Sequence, residues 1–179
     1  MTMRIPNFRG QRALLLHRRD HNLDVLTEQL EKLGVYVSVR WPAEAVSAAE
    51  VDLVFFDSDL GFNGLFAWAP GAAPVPLIAM IGSEAPGRIE WALAQEPSAY
   101  LVKPIGSTGV FAALSIACHN FELKRAREKD CHRLEARLER SREVLLATAT
   151  VMQRYGVDAD RAFRMLRAES MRRRTTLGR

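Results

Sequence analysis

The amino-acid sequence predicts an α/β protein: a parallel sheet with helices on both faces, then one long helix and a short helical end. Three observations lead to this prediction. Apolar runs alternate with helical patterns over roughly the first 115 residues. A helical pattern then continues from near Thr108 to Gly156 without a clear breaker, and an arginine-rich helical pattern follows it.

Five apolar runs mark the strands of the predicted sheet. They cover residues 13–16, 35–39, 51–56, 75–81 and 99–102. A helix is predicted over residues 20–33, where Gly34 ends it, and a short helix over residues 43–49. The simplest topology for five strands in this alternation is a flavodoxin-like doubly wound sheet.

Two charged residues directly follow strands of this sheet. Asp57 comes after the third strand, and Lys103, with Pro104 behind it, comes after the fifth. The carboxyl ends of parallel strands meet at one edge, so the two side chains should approach each other. This pattern resembles the receiver domain of response regulators, in which such an aspartate accepts a phosphoryl group and such a lysine contacts it.

The segment after the first strand departs from the receiver pattern. Receivers place an acidic pair there to hold Mg²⁺, whereas this sequence has His17, Arg18 and Arg19. Phosphoryl transfer to a carboxylate needs a metal to offset the developing charge, and cations at its seat would repel Mg²⁺. We therefore interpret the domain as a pseudo-receiver. Asp20 and Asp59 are the nearby carboxylates that could still bind a metal.

Other interpretations of this region stay open. Asp57 and Lys103 could be a purely structural ion pair at the sheet edge. The hydroxyl residue that receivers carry after the fourth strand is replaced by Ile81 or Gly82, with Ser83 slightly beyond. The loop over residues 60–76 could dock a protein or pack over the sheet.

The rest of the sequence gives no indication of enzymatic activity. His17, His21, His119 and His132 form no spaced ligand set, and each is interpreted as a surface or packing residue. We expect no catalytic, metal or cofactor site. No stretch approaches the ~20 apolar residues of a membrane span, and the start of the chain lacks a secretory apolar core, so a cytoplasmic protein is expected.

The long helix carries a stripe of apolar residues at heptad spacing. Leu134, Leu138, Leu145 and Met152 recur four and seven residues apart, with Ser141 and Thr148 at the intervening positions. This spacing predicts a parallel coiled coil over residues 130–152, and hence a homodimer. The alternative is an antiparallel fold-back of this helix onto the sheet.

The chain from Arg154 onward is strongly basic. It holds eight arginines against three acidic residues, a charge of +5 compared with +4 for the whole chain. A compact basic helix is typical of proteins that bind a phosphate-rich partner, although a solvated arginine face would look the same. Gly156 is suited to end one helix and Asp158 to cap the next. The inner face of this helix is predicted from the spacing of Ala159, Ala162, Phe163, Leu166 and Ser170.

The ordered spacing in residues 147–172 resembles the ANTAR domain, the RNA-binding output module of transcription antitermination regulators. The resemblance rests on Ala147, Met152, Gly156, Ala162, Phe163, Leu166, Arg167 and Met171. It implies RNA binding, for which the candidate residues are Arg154, Arg161, Arg164, Arg167 and Arg172. Two features depart from the family: Ala149 replaces its usual glycine, and its last helix, expected beyond Leu177, is missing.

The three parts together resemble the AmiR-like antitermination regulators. We predict a pseudo-receiver domain over residues 1–115, a coiled-coil dimerisation helix over 116–146 and an ANTAR-like region over 147–179. The resemblance implies a dimer that binds hairpin RNA of a leader transcript and is controlled by a ligand-sensing regulator protein. The alternative is a protein-interaction and dimerisation module, either sensor-binding or a phosphorylatable receiver, without RNA binding. DNA binding is a third, weaker hypothesis.

Overall fold

The computed structural model describes residues 6–41 and 50–172. Five strands and four helices follow one another in these ranges. They are β1 (Arg12–Leu16), α1 (His21–Lys32), β2 (Tyr36–Val39), β3 (Leu53–Asp57), β4 (Leu77–Ile81), α2 (Pro86–Ala94), β5 (Ala99–Val102), α3 (Val110–Tyr155) and α4 (Ala159–Arg172). The predicted helix over residues 43–49 lies outside the described residues, as do Leu177 and the end of the chain.

The five strands form one parallel sheet in the order β2-β1-β3-β4-β5. This confirms the doubly wound topology. The register pairs Leu16 with Phe56, Asp57 with Met80, and Ile81 with Val102. The residues that follow β1, β3, β4 and β5 therefore lie side by side at one edge, which is where doubly wound sheets place their sites.

Each face of the sheet packs against a separate apolar cluster. On one face, Leu26 and Leu30 of α1 and Leu114 of α3 are fully buried against the sheet. The other face is covered in part by the connection between β3 and β4, residues 58–76, which contains no helix. Leu65 and Phe66 from this loop are buried, so packing over the sheet is the correct interpretation for them. Phe66 contacts Phe56 edge-on, with 5.4 Å between ring centroids.

Local signals explain where the first helices begin and end. Asp20 caps α1 by accepting a hydrogen bond from the Leu23 backbone N–H at 2.9 Å, and Gly34 adopts a φ of 76° just after the helix. Helix α2 is not predicted from the sequence. Pro86 stands in its first turn, a position that proline tolerates, but with Gly87 next to it the segment looks like a loop.

The chain divides into two compact units, residues 1–124 and 125–179. In the second unit, Gly156 has a φ of 60° and Asp158 accepts a hydrogen bond from the Arg161 backbone N–H at 2.7 Å, as the sequence predicts. The predicted inner face of α4 is partly wrong. Ala162 is fully buried and Leu166 and Ser170 are half-buried, but Ala159 and Phe163 are exposed. None of the helices described is long and apolar enough to cross a membrane.

Candidate signalling site and nucleic-acid interface

Asp57 lies at the centre of a charged cluster at the carboxyl edge of the sheet. It is the last residue of β3 and is 3% exposed. Lys103, which follows β5, places its Nζ atom 2.7 Å from Asp57 Oδ1 and 3.1 Å from Asp59 Oδ2. The structure thus brings together the aspartate and the lysine that the sequence analysis singled out. One ammonium group serves two carboxylates.

His17 is part of the same cluster, in the region after β1 where the sequence places cations instead of the acidic pair of receivers. It directly follows β1 and is fully buried, and its Nε2 atom lies 3.1 Å from Asp57 Oδ2. Its Nδ1 atom lies 2.6 Å from the backbone oxygen of Arg18. His17 is therefore not a surface residue; it is packed inside the charged cluster. Its position directly after β1, at the edge where Asp57 was expected, was the available signal.

The neighbouring cations behave differently from His17. Arg18 and Arg19 are exposed, so they do not enter the cluster as buried groups. The residue that stands against Asp57 is the histidine. From the sequence, either His17 with Arg18 or Arg18 with Arg19 could have stood next to Asp57. In the structure His17 is the one of the three that is buried there.

The two carboxylates considered as metal ligands are already engaged. Asp20 caps α1. Asp59 Oδ1 accepts hydrogen bonds from the backbone N–H groups of Gly82 and Ser83, at 3.1 and 2.8 Å. Burial acts to raise the pKa of the Asp59 carboxyl, but these N–H groups and Lys103 outweigh it and lower the pKa. Among the described residues no group of three or more potential ligands is placed to hold a metal ion.

The position after β4 is closed to a side chain. A Cβ atom built on Gly82 would lie 2.4 Å from Asp59 Oδ2. Asp59 occupies the space that a hydroxyl residue would need there. A residue with a hydroxyl side chain at position 82 would therefore displace Asp59 from the cluster.

The predicted dimer stripe of α3 is exposed in the single chain. Leu134, Leu138 and Leu145 are 55, 71 and 70% exposed. Met152 is half-buried. Helix α3 continues without a break through this region. Three large leucines exposed on one helix face are unusual for a monomer and indicate a surface that packs against something else.

The predicted RNA-binding arginines are all exposed, but they are not equivalent. Arg161, Arg164 and Arg167 have no carboxylate within ion-pair distance in the part of the chain that the structure describes. The Arg154 guanidinium lies 6.0 Å from the centre of the Tyr155 ring. Arg172 donates a hydrogen bond to Glu169 at 2.9 Å, which raises the pKa of its guanidinium. Arg172 is the least available of the five for a phosphate.

A groove of about 930 Å³ runs between α3 and α4 within the second unit. Phe163 lines one side, and Leu134, Val144 and Leu145 of α3 form the apolar floor. Phe163 is thus exposed because its side chain forms one wall of this groove. The dimer stripe and the start of α4 share one surface.

These features define a class of protein: a receiver-like domain whose aspartate is held by a lysine and a histidine, followed by a long helix and a basic helical module. Comparison with known proteins identifies the family. Residues 11–118 match the family model of the AmiR N-terminal domain, and residues 132–179 match that of the ANTAR domain. The chain belongs to the AmiR family of antitermination regulators.

One relative and two solved structures are similar to this chain. The aliphatic amidase regulator of Pseudomonas aeruginosa is 25% identical over 173 residues, which covers 95% of this chain and 88% of that protein. Among solved structures, NtrX from Brucella abortus is 15% identical with a TM-score of 0.51, covering 75% of this chain and 35% of that one. A CheY-like response regulator from Mesorhizobium loti is 22% identical with a TM-score of 0.46, covering 61% of this chain and 98% of that one. The AmiR N-terminal and ANTAR families are regulatory families.

Proposed function

We propose that this chain is an RNA-binding antitermination regulator that acts as a dimer on leader-transcript hairpins. The observation that carries the proposal is the surface of α4. It presents Arg161, Arg164 and Arg167 to solvent, and their guanidinium groups form no ion pair with a carboxylate in the described part of the chain. A helix that keeps several unpaired guanidinium groups on its surface suits a run of phosphates, because each phosphate that it neutralises releases counterions.

Recognition of a hairpin needs more than charge. The arginines would hold the backbone of the RNA, whereas sequence choice comes from bases exposed in a loop. Tyr155 is 57% exposed and lies beside Arg154, so it can stack on a loop base. Tyr155 and the turn that follows it between α3 and α4, residues 156–158, are therefore the expected site of base contact.

The test is a titration of a fluorescent two-hairpin leader RNA with the full chain. The double variant Arg161→Gln/Arg164→Gln should bind more weakly across hairpin sequences and lower the salt slope of binding by about two units, about one for each phosphate contact. The matched control is Arg19→Gln/Arg40→Gln, which removes two exposed arginines of the first unit, outside α3 and α4. This control should bind nearly as the unaltered chain does.

The same titration separates the two candidate functions. The exposed leucines of α3 favour a dimerisation and interaction module as the second candidate. If the dimer is intact and no hairpin binds at low salt, RNA binding is wrong and the interaction module replaces it. Competition by duplex DNA as strong as that by hairpin RNA would instead support DNA binding.

Control by a ligand-sensing protein in the cytoplasm, and not by phosphorylation, is the second half of the proposal. Both oxygens of Asp57 have a partner nearby, Lys103 on one side and His17 on the other. Acetyl phosphate with Mg²⁺ should therefore leave the mass of the protein unchanged. A stoichiometric phosphoryl adduct that disappears in Asp57→Asn would show that this is a phosphorylatable receiver.

A further inference from the structure

Strand β2 lies at one edge of the sheet and exposes large apolar side chains. It pairs with β1 on one side, and the sheet formed by the described strands ends on its other side. Tyr36, Val39 and Trp41, along β2 and just after it, are 70, 40 and 41% exposed. The central strand β3, in contrast, is buried at every position. An edge strand with exposed apolar side chains is a place where another chain can pack.

Three arginines lie beside the end of this strand. Strands β1 and β2 are parallel and end side by side, because the backbone N–H of Arg40 donates a hydrogen bond to the backbone oxygen of Leu15 at 3.0 Å. Arg18 and Arg19 come shortly after Leu15 in the chain. Neighbouring strands are only about 4.8 Å apart, so all three arginines start from one corner of the carboxyl edge.

These arginines have no acidic partner in the part of the chain that the structure describes. All three are exposed, and their guanidinium groups form no ion pair with a described carboxylate. Asp20, which follows them, instead caps α1 by accepting a hydrogen bond from the Leu23 backbone N–H. On the same domain, Arg12 does have such a partner, Asp52 at 3.3 Å. Unpaired positive groups around an apolar surface complement a partner that brings carboxylates.

We propose that this surface is the docking site for an acidic and partly apolar segment of a protein partner. We call it the β2 corner, and it comprises Arg18, Arg19, Tyr36, Val39, Arg40 and Trp41. Arginine, tyrosine and tryptophan are the residues enriched at the energetic centres of protein interfaces. The exposed Tyr36 and Val39 favour a protein over RNA, because a sugar-phosphate backbone offers little apolar surface to cover them. The inference rests on the proposed control by a protein partner and assigns that partner a surface.

The test follows the indole N–H signal of Trp41 by NMR in the full chain labelled with ¹⁵N-tryptophan. The probe is a short peptide of alternating glutamate and leucine, and the control peptide has lysine in place of glutamate. The glutamate peptide should shift the Trp41 signal. The signals of Trp68 and Trp91, which pack on a face of the sheet, should stay in place. The lysine peptide should move none of the three. Because this readout is local, binding of the peptide to the basic helix α4 does not affect it.

The double variant Arg19→Gln/Arg40→Gln measures the contribution of the arginines. It should bind the glutamate peptide about tenfold more weakly, because each exposed ion pair contributes modestly and two are removed. The control variant is Arg9→Gln, which removes an exposed arginine before β1, at the opposite edge of the sheet, and should leave the affinity unchanged. Unmoved signals of Trp68 and Trp91 show that each variant is folded. The double variant should keep its affinity for hairpin RNA, so failure of this inference and failure of RNA binding give different results.

The proposal is wrong if the Trp41 signal stays in place up to millimolar glutamate peptide, or if the lysine peptide moves it equally. Equal affinity of the unaltered chain and the double variant would also overturn it, because the arginines would then not select the partner. A shift of the Trp41 signal on addition of hairpin RNA would place the β2 corner in a nucleic-acid interface, and this too would overturn the assignment to a protein partner.

Discussion

At the scale of single residues, the charged cluster depends on small side chains as much as on charged ones. Gly82 leaves room for Asp59 to accept two backbone N–H groups and to reach Lys103. Gly61 does the same for Trp91, because a Cβ atom there would lie 2.0 Å from the indole ring. Residues that contribute no side chain thus determine where Asp59 and Trp91 can lie.

We predict that Gly82→Ala destabilises the protein. Its new methyl group would push Asp59 away from Lys103, and overpacking of this kind costs about 1–3 kcal/mol. Gly87 is the matched control: it lies in α2 with nothing within 4 Å of its Cβ position, so Gly87→Ala should leave stability unchanged or raise it. Urea unfolding measures both variants. A Gly82→Ala protein as stable as the unaltered chain would show that Asp59 can move freely.

At the scale of elements, α3 is a continuous helix in the single chain, but one apolar face of it is not covered. Its 46 residues are too polar on average to be buried all round, yet Leu134, Leu138 and Leu145 remain exposed. Secondary structure alone leaves this apolar stripe in water. We attribute the stripe to packing against a second copy.

We predict that Leu145→Glu weakens the dimer and that Leu146→Glu does not. The two leucines are adjacent and similarly exposed, at 70 and 61%, but only Leu145 belongs to the heptad stripe. Burying a leucine contributes roughly 1.5–3 kcal/mol, and each dimer would lose two of them and bury two charges. Light scattering at micromolar concentration gives the masses. An unaltered chain that is monomeric there would contradict the dimer itself.

The charges beside the stripe predict how salt affects this dimer. With Leu138 and Leu145 at the a positions, a parallel pairing brings Asp130 of one copy towards Glu135 of the other, and Arg137 towards Arg142. Like charges repel and salt screens them, so a parallel dimer should become tighter as salt rises. An antiparallel pairing of Leu134 with Leu145 would instead place Glu135 opposite Arg142. A dimer that weakens with salt would therefore contradict the parallel arrangement.

At the scale of the whole molecule, the chain consists of two units with different kinds of core. The first unit buries a sheet between two apolar clusters, whereas the described part of the second unit, residues 125–172, is mostly helical and has few buried side chains. The first unit has enough buried apolar surface to fold by itself. The second depends more on what packs against it.

We predict that residues 1–124 alone form a folded monomer that does not bind hairpin RNA. The circular dichroism of this fragment should show cooperative unfolding, because its sheet and both clusters are complete. Light scattering should give the mass of one copy, since the heptad stripe is absent. A dimeric fragment would place an association surface on the sheet domain, and an unfolded one would mean that the second unit stabilises the first.

The sequence by itself determined the order of the five strands and of α1, α3 and α4, and the family resemblance. Apolar runs, Gly34, Gly156 and Asp158 act on their neighbours in the chain, so periodicity and capping chemistry are visible without a structure. The approach of Asp57 and Lys103 followed from the sheet topology, because parallel strands end at the same edge.

The tertiary structure decided what those residues meet. His17 is separated from Asp57 by two elements, and its role appears only when β1 and β3 lie side by side with its ring buried between charges. In the same way, Ala162 is fully buried whereas its neighbour Phe163 is 43% exposed, at the side of a groove that residues of α3 also line. Helical spacing specifies which side chains share a face, but burial depends on the angle at which a second element approaches, and that is a property of the packed molecule.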